Sequence, residues 1–208
     1  MKYSEPKQSR SYQTEQRFLD TLAGLLSLKS FHQTTVADIA EAAGMTSGSF
    51  MTRFGSKRGA LVRLFERFCT DVSKTLDQVS AEPFASMSLD KLCVIFSSRY
   101  EALVRAHWGS NHAMHEIFLL EGEIDEQTKT IFKATTATLA SALAHRGVSD
   151  ADMSSVFAAV QLLVTLNYNY VLGAMPGLPK EDESRHQLIA KLMIQALDLK
   201  VSDNNRFA

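Results

Sequence analysis

Apolar residues recur at three- and four-residue spacing along most of the chain, and the strict alternation of a half-buried strand is scarce. The spacing predicts helices near 12–29, 35–43, 46–53, 57–80, 86–108, 112–121, 124–146, 150–174 and 182–200. Breakers separate them at Gly44, Gly55, Pro83, Gly109, Gly122, Gly147 and the run Met175 to Pro179. The fold class implied is all-α, about nine helices, with three short N-terminal helices followed by longer ones. The helix from 57 onward is expected to join the two parts without a flexible linker.

The sharpest local pattern lies between Thr34 and Leu61, TTVADIAEAAGMTSGSFMTRFGSKRGAL. Thr35-Val-Ala-Asp38 has capping-box form, with a negative charge in the first turn where the helix dipole favours it. Gly44 can take the left-handed conformation that ends a helix, and Thr46 or Ser47 caps the next one. Phe50 and Phe54, four apart, anchor that second helix. Thr46, Ser47, Gly48, Ser49, Met51, Thr52 and Arg53 are left facing outward. They are short and mostly polar, a surface that fits a major groove, with hydroxyls for phosphates or base edges and Met51 for a thymine methyl. Arg53 is the strongest candidate for a contact of two hydrogen bonds. Ser56 caps the following helix, and Lys57 with the exposed N–H groups there suits a backbone phosphate. Thr34 and Thr35 can do the same one helix earlier. The bland reading of this segment is a small helical core with a tight turn.

The bulk numbers add a division of tasks. Of the 208 residues, 45% are hydrophobic and 22% charged, ordinary for a globular chain. The net charge of −1 does not mark the whole as a nucleic-acid binder. Residues 1–68 hold ten Lys/Arg against six Asp/Glu, a balance of +4, and the remainder carries −5. Cys69 and Cys93 form no CxxC pair, so a disulfide framework is not expected and a reducing, cytoplasmic setting is. The start, MKYSEPKQSRSYQTEQ, lacks the apolar core of a signal peptide and reads as a polar arm. No charge occurs from Ser154 to Pro179, but Gln161, Thr165, Asn167 and Asn169 argue for a helix buried by protein rather than a membrane span.

From about Gln13 to Phe68, just over a quarter of the chain, the segments RFLDTLAGLLSLKSF, TTVADIAEAAGMTSGSF and FGSKRGALVRLF resemble the N-terminal domain of TetR-type transcriptional regulators. The resemblance implies a homodimer that binds double-stranded operator DNA, with a divergent C-terminal helical domain for a small effector and for dimerisation. On it the chain divides into a flexible polar arm (1–11), a helix-turn-helix domain (12–68) and an effector and dimerisation domain (69–208). Lys57 matches the family's phosphate-binding lysine. Met51 stands where the family commonly has a tyrosine that contacts phosphate, and Arg53 where it has histidine or tyrosine. Methionine cannot make that contact; Arg53 can take it over.

The last two predicted helices look like a pair joined by a Pro/Gly turn, with an apolar stripe through Leu188, Leu192 and Ala196. By the resemblance they pack on their copies, with Val160 and Val164 from the preceding helix; the alternative is an internal core helix. Pocket walls are sought among Phe65, Phe96, Arg99, Tyr100, Trp108, His112, Met114, Phe118, Gln161 and Tyr168, although residue type alone does not separate them from core. The effector expected is largely apolar, its charge left open. His112 and His115 share a helix face, but no Cys pair or acidic cluster completes a metal site, and nothing marks either thiol as activated. No nucleophile–base pairing or cofactor fingerprint occurs, so no enzyme activity, cofactor or metal is expected. The function expected is a ligand-responsive transcriptional regulator, a repressor by default. Its rivals are a helical interaction module that has lost DNA binding and an all-α enzyme.

Overall fold

The computed structural model describes residues 5–80, 86–121, 126–145 and 153–197. Among them are nine helices and no strand: α1 Glu5–Leu26, α2 Val36–Ala42, α3 Ser47–Phe54, α4 Lys57–Ser80, α5 Leu89–Ala106, α6 Trp108–Glu121, α7 Glu126–His145, α8 Met153–Val171 and α9 Asp182–Ala196. The all-α expectation holds. Two details differ from the pattern reading. Helix α1 starts at Glu5, so residues 5–11, assigned by their polarity to an arm, are helical, and residues 1–4 lie outside the described residues. Gly109 does not interrupt the chain but sits inside the first turn of α6, where the Asn111 N–H and the Ser110 hydroxyl both bond the His107 carbonyl. The expected breaks at Pro83, Gly122 and Gly147 lie outside the described residues.

The chain forms two compact units that are not contiguous in sequence. The first holds residues 1–68 and 107–124, the second 69–106 and 125–208. Residues 107–124, which a linear division leaves with the C-terminal part, therefore belong to the first. Helix α4 runs unbroken from Lys57 to Ser80 and contributes to both.

The core of the first unit is built from Phe18, Leu19, Leu22 and Leu26 of α1, Ile39 and Ala40 of α2, Phe50 of α3, Leu61 and Leu64 of α4, and Ala113 and Ile117 of α6. Phe18 meets Phe50 edge to face at 5.3 Å, and Phe54 stands 4.9 Å from Phe50. Such aromatic pairs add about 0.5–1.5 kcal/mol each beyond the area they bury.

The second unit holds a cluster of hydrogen-bonded buried polar groups on α5, α8 and α9. Arg185 of α9 has no solvent exposure. Its Nε and Nη2 donate to the two carboxylate oxygens of Glu101 of α5, each at 2.9 Å, and Tyr170 of α8 lies 3.8 Å beneath the guanidinium. Ser97 Oγ is 2.9 Å from His186 Nδ1. The buried Asn167 amide donates to the Leu163 carbonyl at 2.8 Å and to Ser97 at 3.3 Å. The uncharged stretch thus keeps a satisfied polar residue inside protein. No helix among the described residues is long and apolar enough to cross a membrane.

Candidate nucleic-acid interface and effector cavity

The first unit presents α3 through local capping chemistry. Thr35 accepts from the Asp38 N–H at 3.1 Å while the Asp38 carboxylate accepts from the Thr35 N–H at 2.9 Å, closing the capping box expected from sequence. Lys29 adds an ion pair to Asp38 at 2.7 Å. That ammonium, with the Thr35 bonds, pulls the Asp38 carboxyl down to about 2.

Gly44 sits at φ +64, and the N–H groups of Gly44 and Met45 return to the carbonyls of Glu41 and Ala40. This is the paired 5→2 and 6→1 bonding of a Schellman end, which a side chain at Gly44 would strain. Thr46 then caps α3, accepting from the Ser49 N–H at 3.1 Å. With Phe50 fully buried, Thr46, Ser47, Gly48, Met51 and Thr52 stand exposed and Ser49 half-buried. The Thr52 hydroxyl bonds the Gly48 carbonyl at 2.9 Å.

Besides the capping Thr35 and Thr46 and the back-bonded Thr52, three more of the candidate contacts are engaged within the unit. Thr34 is fully buried, its hydroxyl turned to the Ser30 carbonyl at 2.9 Å, so it is a turn-holding group rather than a surface contact. Arg53 donates through Nη1 to the Ser11 carbonyl at 2.6 Å and to its hydroxyl at 3.1 Å. Lys57 Nζ donates to the carbonyls of Phe31 at 2.6 Å and Thr34 at 2.7 Å. Burial pulls the Lys57 ammonium below the usual lysine range, and the Glu116 carboxylate opposes that. Thr35 and Thr46 are exposed while their hydroxyl oxygens accept the cap bonds, and Ser47 is exposed beside them.

The second unit holds a cavity of about 20 Å³ between α4, α5, α7 and α8. Of the candidate effector contacts, Phe96, Arg99 and Tyr100 line it. Val72, Thr75, Leu76 and Val79 of α4, Leu103 of α5, Thr135 of α7 and Leu163 of α8 complete the wall. Spacing along α4 puts 72, 76 and 79 on one face, a signal that lies in aliphatic rather than aromatic residues. Gln161 and Tyr168 are half-buried off the cavity. Phe65, Trp108, His112 and Met114 belong to the first unit, where Met114 packs on the core and Trp108 stacks 5.2 Å from His112. The Phe118 side chain lies outside what is described. Burial raises the Tyr100 phenol, with Tyr168 adding to it, and raises Tyr168 to about 12, so both are neutral donors at neutral pH.

Of the candidate dimer contacts, Val160 is fully buried within its own unit and presents nothing to a second copy. Val164, Leu188, Leu192 and Ala196 are half-buried, and Met153, Phe157 and Leu172 are exposed on α8 and just beyond it. No group of three or more metal-ligating side chains occurs among the described residues.

Residues 18–64 match the family model for bacterial regulatory proteins of the tetR family. Among curated proteins no match is found. The fold is similar to that of a TetR-like transcriptional regulator from Rhodococcus sp. RHA1, at 17% identity and a TM-score of 0.65, covering 90% of this chain and 97% of that one. It is also similar to the fatty acid degradation regulator FadR from Bacillus halodurans, at 16% identity and a TM-score of 0.62, covering 92% and 96%. FadR from Bacillus subtilis, solved in complex with stearoyl-CoA, is 16% identical with a TM-score of 0.59, covering 90% and 97%. At these identities the likeness is one of fold.

Proposed function

We propose that this chain, which carries in residues 18–64 the DNA-binding domain of the tetR family of bacterial regulatory proteins, is a ligand-responsive repressor. It binds a palindromic operator as a homodimer and leaves it when a small molecule enters the second unit. One observation carries the reading: Phe50 is held at zero exposure while the hydroxyl-rich opposite face of the same short helix is left to solvent. A helix so presented fits a major groove, with base edges met by its first residues.

Val164, Leu188, Leu192 and Ala196, together with the exposed Phe157, supply an apolar face for a second copy. Two reading helices would then meet half-sites about 34 Å apart. The effector would enter at the cavity lined by Phe96, Leu163, Tyr100 and Arg99. At about 20 Å³ the cavity has room for roughly one water, so ligand entry must spread the helices. That requirement supplies the switch: an effector that binds the spread state better shifts the population away from the DNA-binding one. An apolar wall with one guanidinium suits a chain carrying an anionic end, and the stearoyl-CoA complex of the FadR relative supports this class.

Selection of bound duplexes from random DNA tests the reading. A palindrome with one-turn spacing, released by a fatty acyl thioester or another amphiphile, is expected. Recovery of no enriched sequence would overturn the reading.

A further inference from the structure

We propose that Glu116 of α6 is a positioning residue for DNA binding. Its carboxylate holds the turn that seats α2, and through it α6 sets whether the helix-turn-helix is fit to meet DNA. The proposal rests on the DNA-binding reading and adds a point of control to it.

The turn between α1 and α2 is held from two sides by opposite charges. Glu116 Oε2 accepts from the Phe31 N–H at 2.9 Å, across 85 residues of sequence, and Oε1 stands 3.6 Å from His32 Nε2. From α4, Lys57 takes the carbonyls of Phe31 and Thr34. Between these clamps the Thr34 N–H returns to the carbonyls of Ser30 and Phe31, and Thr35 follows directly as the cap of α2. The Phe31 ring is buried in the core of the unit, so the turn cannot shift without repacking it.

The two kinds of contact made by α6 do different work. Ala113, Ile117 and Met114 bury apolar surface in the core, and burial of that kind is non-directional. The bond from Glu116 is directional and charge-assisted, roughly twice as strong as a neutral one. It fixes where α6 stands relative to the Phe31 amide. In the chain α6 follows α5 after the single residue His107, and α5 carries Phe96, Arg99, Tyr100 and Leu103 of the cavity wall. The carboxylate is where α6 grips the turn before α2. Because coupling is reciprocal, bound DNA protects the Phe31 amide from exchange.

The experiment compares full-length wild type with Glu116→Gln, Glu116→Ala and Glu116→Asp. The probes are the duplex recovered by selection and a scrambled duplex of equal length. Affinity is read by fluorescence anisotropy, folding by thermal midpoint, and the latch by hydrogen exchange at the amides of Phe31 to Thr35. Glu116→Ala is expected to bind the selected duplex about tenfold more weakly, with faster exchange at Phe31, as for loss of one charged hydrogen bond. Glu116→Gln, whose amide oxygen can still accept, is expected to stay within about threefold of wild type. If Glu116→Ala does not fold, Glu116→Asp takes its place: it keeps the charge but withdraws it by one methylene, and is expected to lose about fivefold. Wild-type affinity in a variant whose Phe31 amide exchanges faster overturns the proposal, and so does a Gln variant as weak as Ala. Failure of wild type to select any duplex is read before any substitution is made; it overturns the DNA-binding reading itself and this proposal with it.

Discussion

The Lys57 ammonium donates to the Phe31 carbonyl at 2.6 Å and lies 4.2 Å from the centroid of the same residue's ring. One side chain therefore fastens the turn before α2 twice over, by a charge-assisted bond and by a cation–π contact. Sequence pattern suggested only a phosphate contact for this lysine. The two roles are compatible, because a cation held at the start of α4 by backbone carbonyls is also pre-positioned for an anion.

Lys57→Ala is expected to weaken binding to selected and scrambled duplexes alike. The slope of log K against log salt should fall by about one unit if a phosphate contact is lost. Stability should fall by about 1–2 kcal/mol as two carbonyls lose their charged donor, the half-exposed site keeping the figure low. Titrations at several salt concentrations separate the roles: weaker binding with an unchanged slope removes the phosphate contact and leaves the turn.

Gly59→Ala should be destabilising, by about 2–3 kcal/mol, although alanine is the better helix former by about 1 kcal/mol. A Cβ at Gly59 would stand 2.2 Å from the Phe54 carbonyl oxygen, and that backbone ends α3. Urea denaturation gives the sign directly. A stabilised variant would show that the approach of α3 to α4 is looser than described.

The helix-turn-helix was legible because its determinants are local: the Thr35–Asp38 box, Gly44 and the Phe50/Phe54 pair all act within a few residues. Thr34 and Thr35 show where local signals stop. The two hydroxyls are adjacent and alike, and only the path of the turn decides that one caps α2 while the other is buried against Ser30. Val160 was not legible as core because α8 is uncharged and one of its polar residues, Asn167, faces inward, so polarity does not mark its outer face. The cavity wall was found only in part because it draws on α4, α5, α7 and α8 together, through small aliphatic residues that look like any core. Glu116 and Phe31 could not be paired at all from sequence, being 85 residues apart.

Arg185 and Glu101 carry a test of the second unit. Glu101→Leu leaves a fully buried guanidinium without its bidentate partner and is expected to cost about 3 kcal/mol. Asp182 at 2.5 Å and the carbonyls of Pro179 and Lys180 still hold Arg185 and keep the loss at the lower end. Adding Arg185→Met should recover much of it, since a removed pair is far cheaper than a broken one. Denaturation of both single variants and the double measures the coupling; simple additivity would show that the pair is not a unit.

Asp38 gives the first unit an acid-sensitive element. Its carboxyl is held at about 2 by Lys29 and the Thr35 bonds, against a usual aspartate value of 3.8. A carboxylate depressed on folding contributes stability that is fully present above the unfolded value and disappears as pH falls through the folded one. The window is therefore from about 4 down to about 2. Asp38→Asn carries no charge at any pH, so its stability deficit relative to wild type should be constant from pH 7 to about 5 and close towards pH 2. High salt should narrow the gap at pH 7, because the Lys29 pair is partly exposed and screened, without abolishing the part due to the Thr35 amide. Urea midpoints of both chains at pH 7, 4 and 2.5 test this, and a gap unchanged across that range would mean that the Asp38 charge does not hold the start of α2.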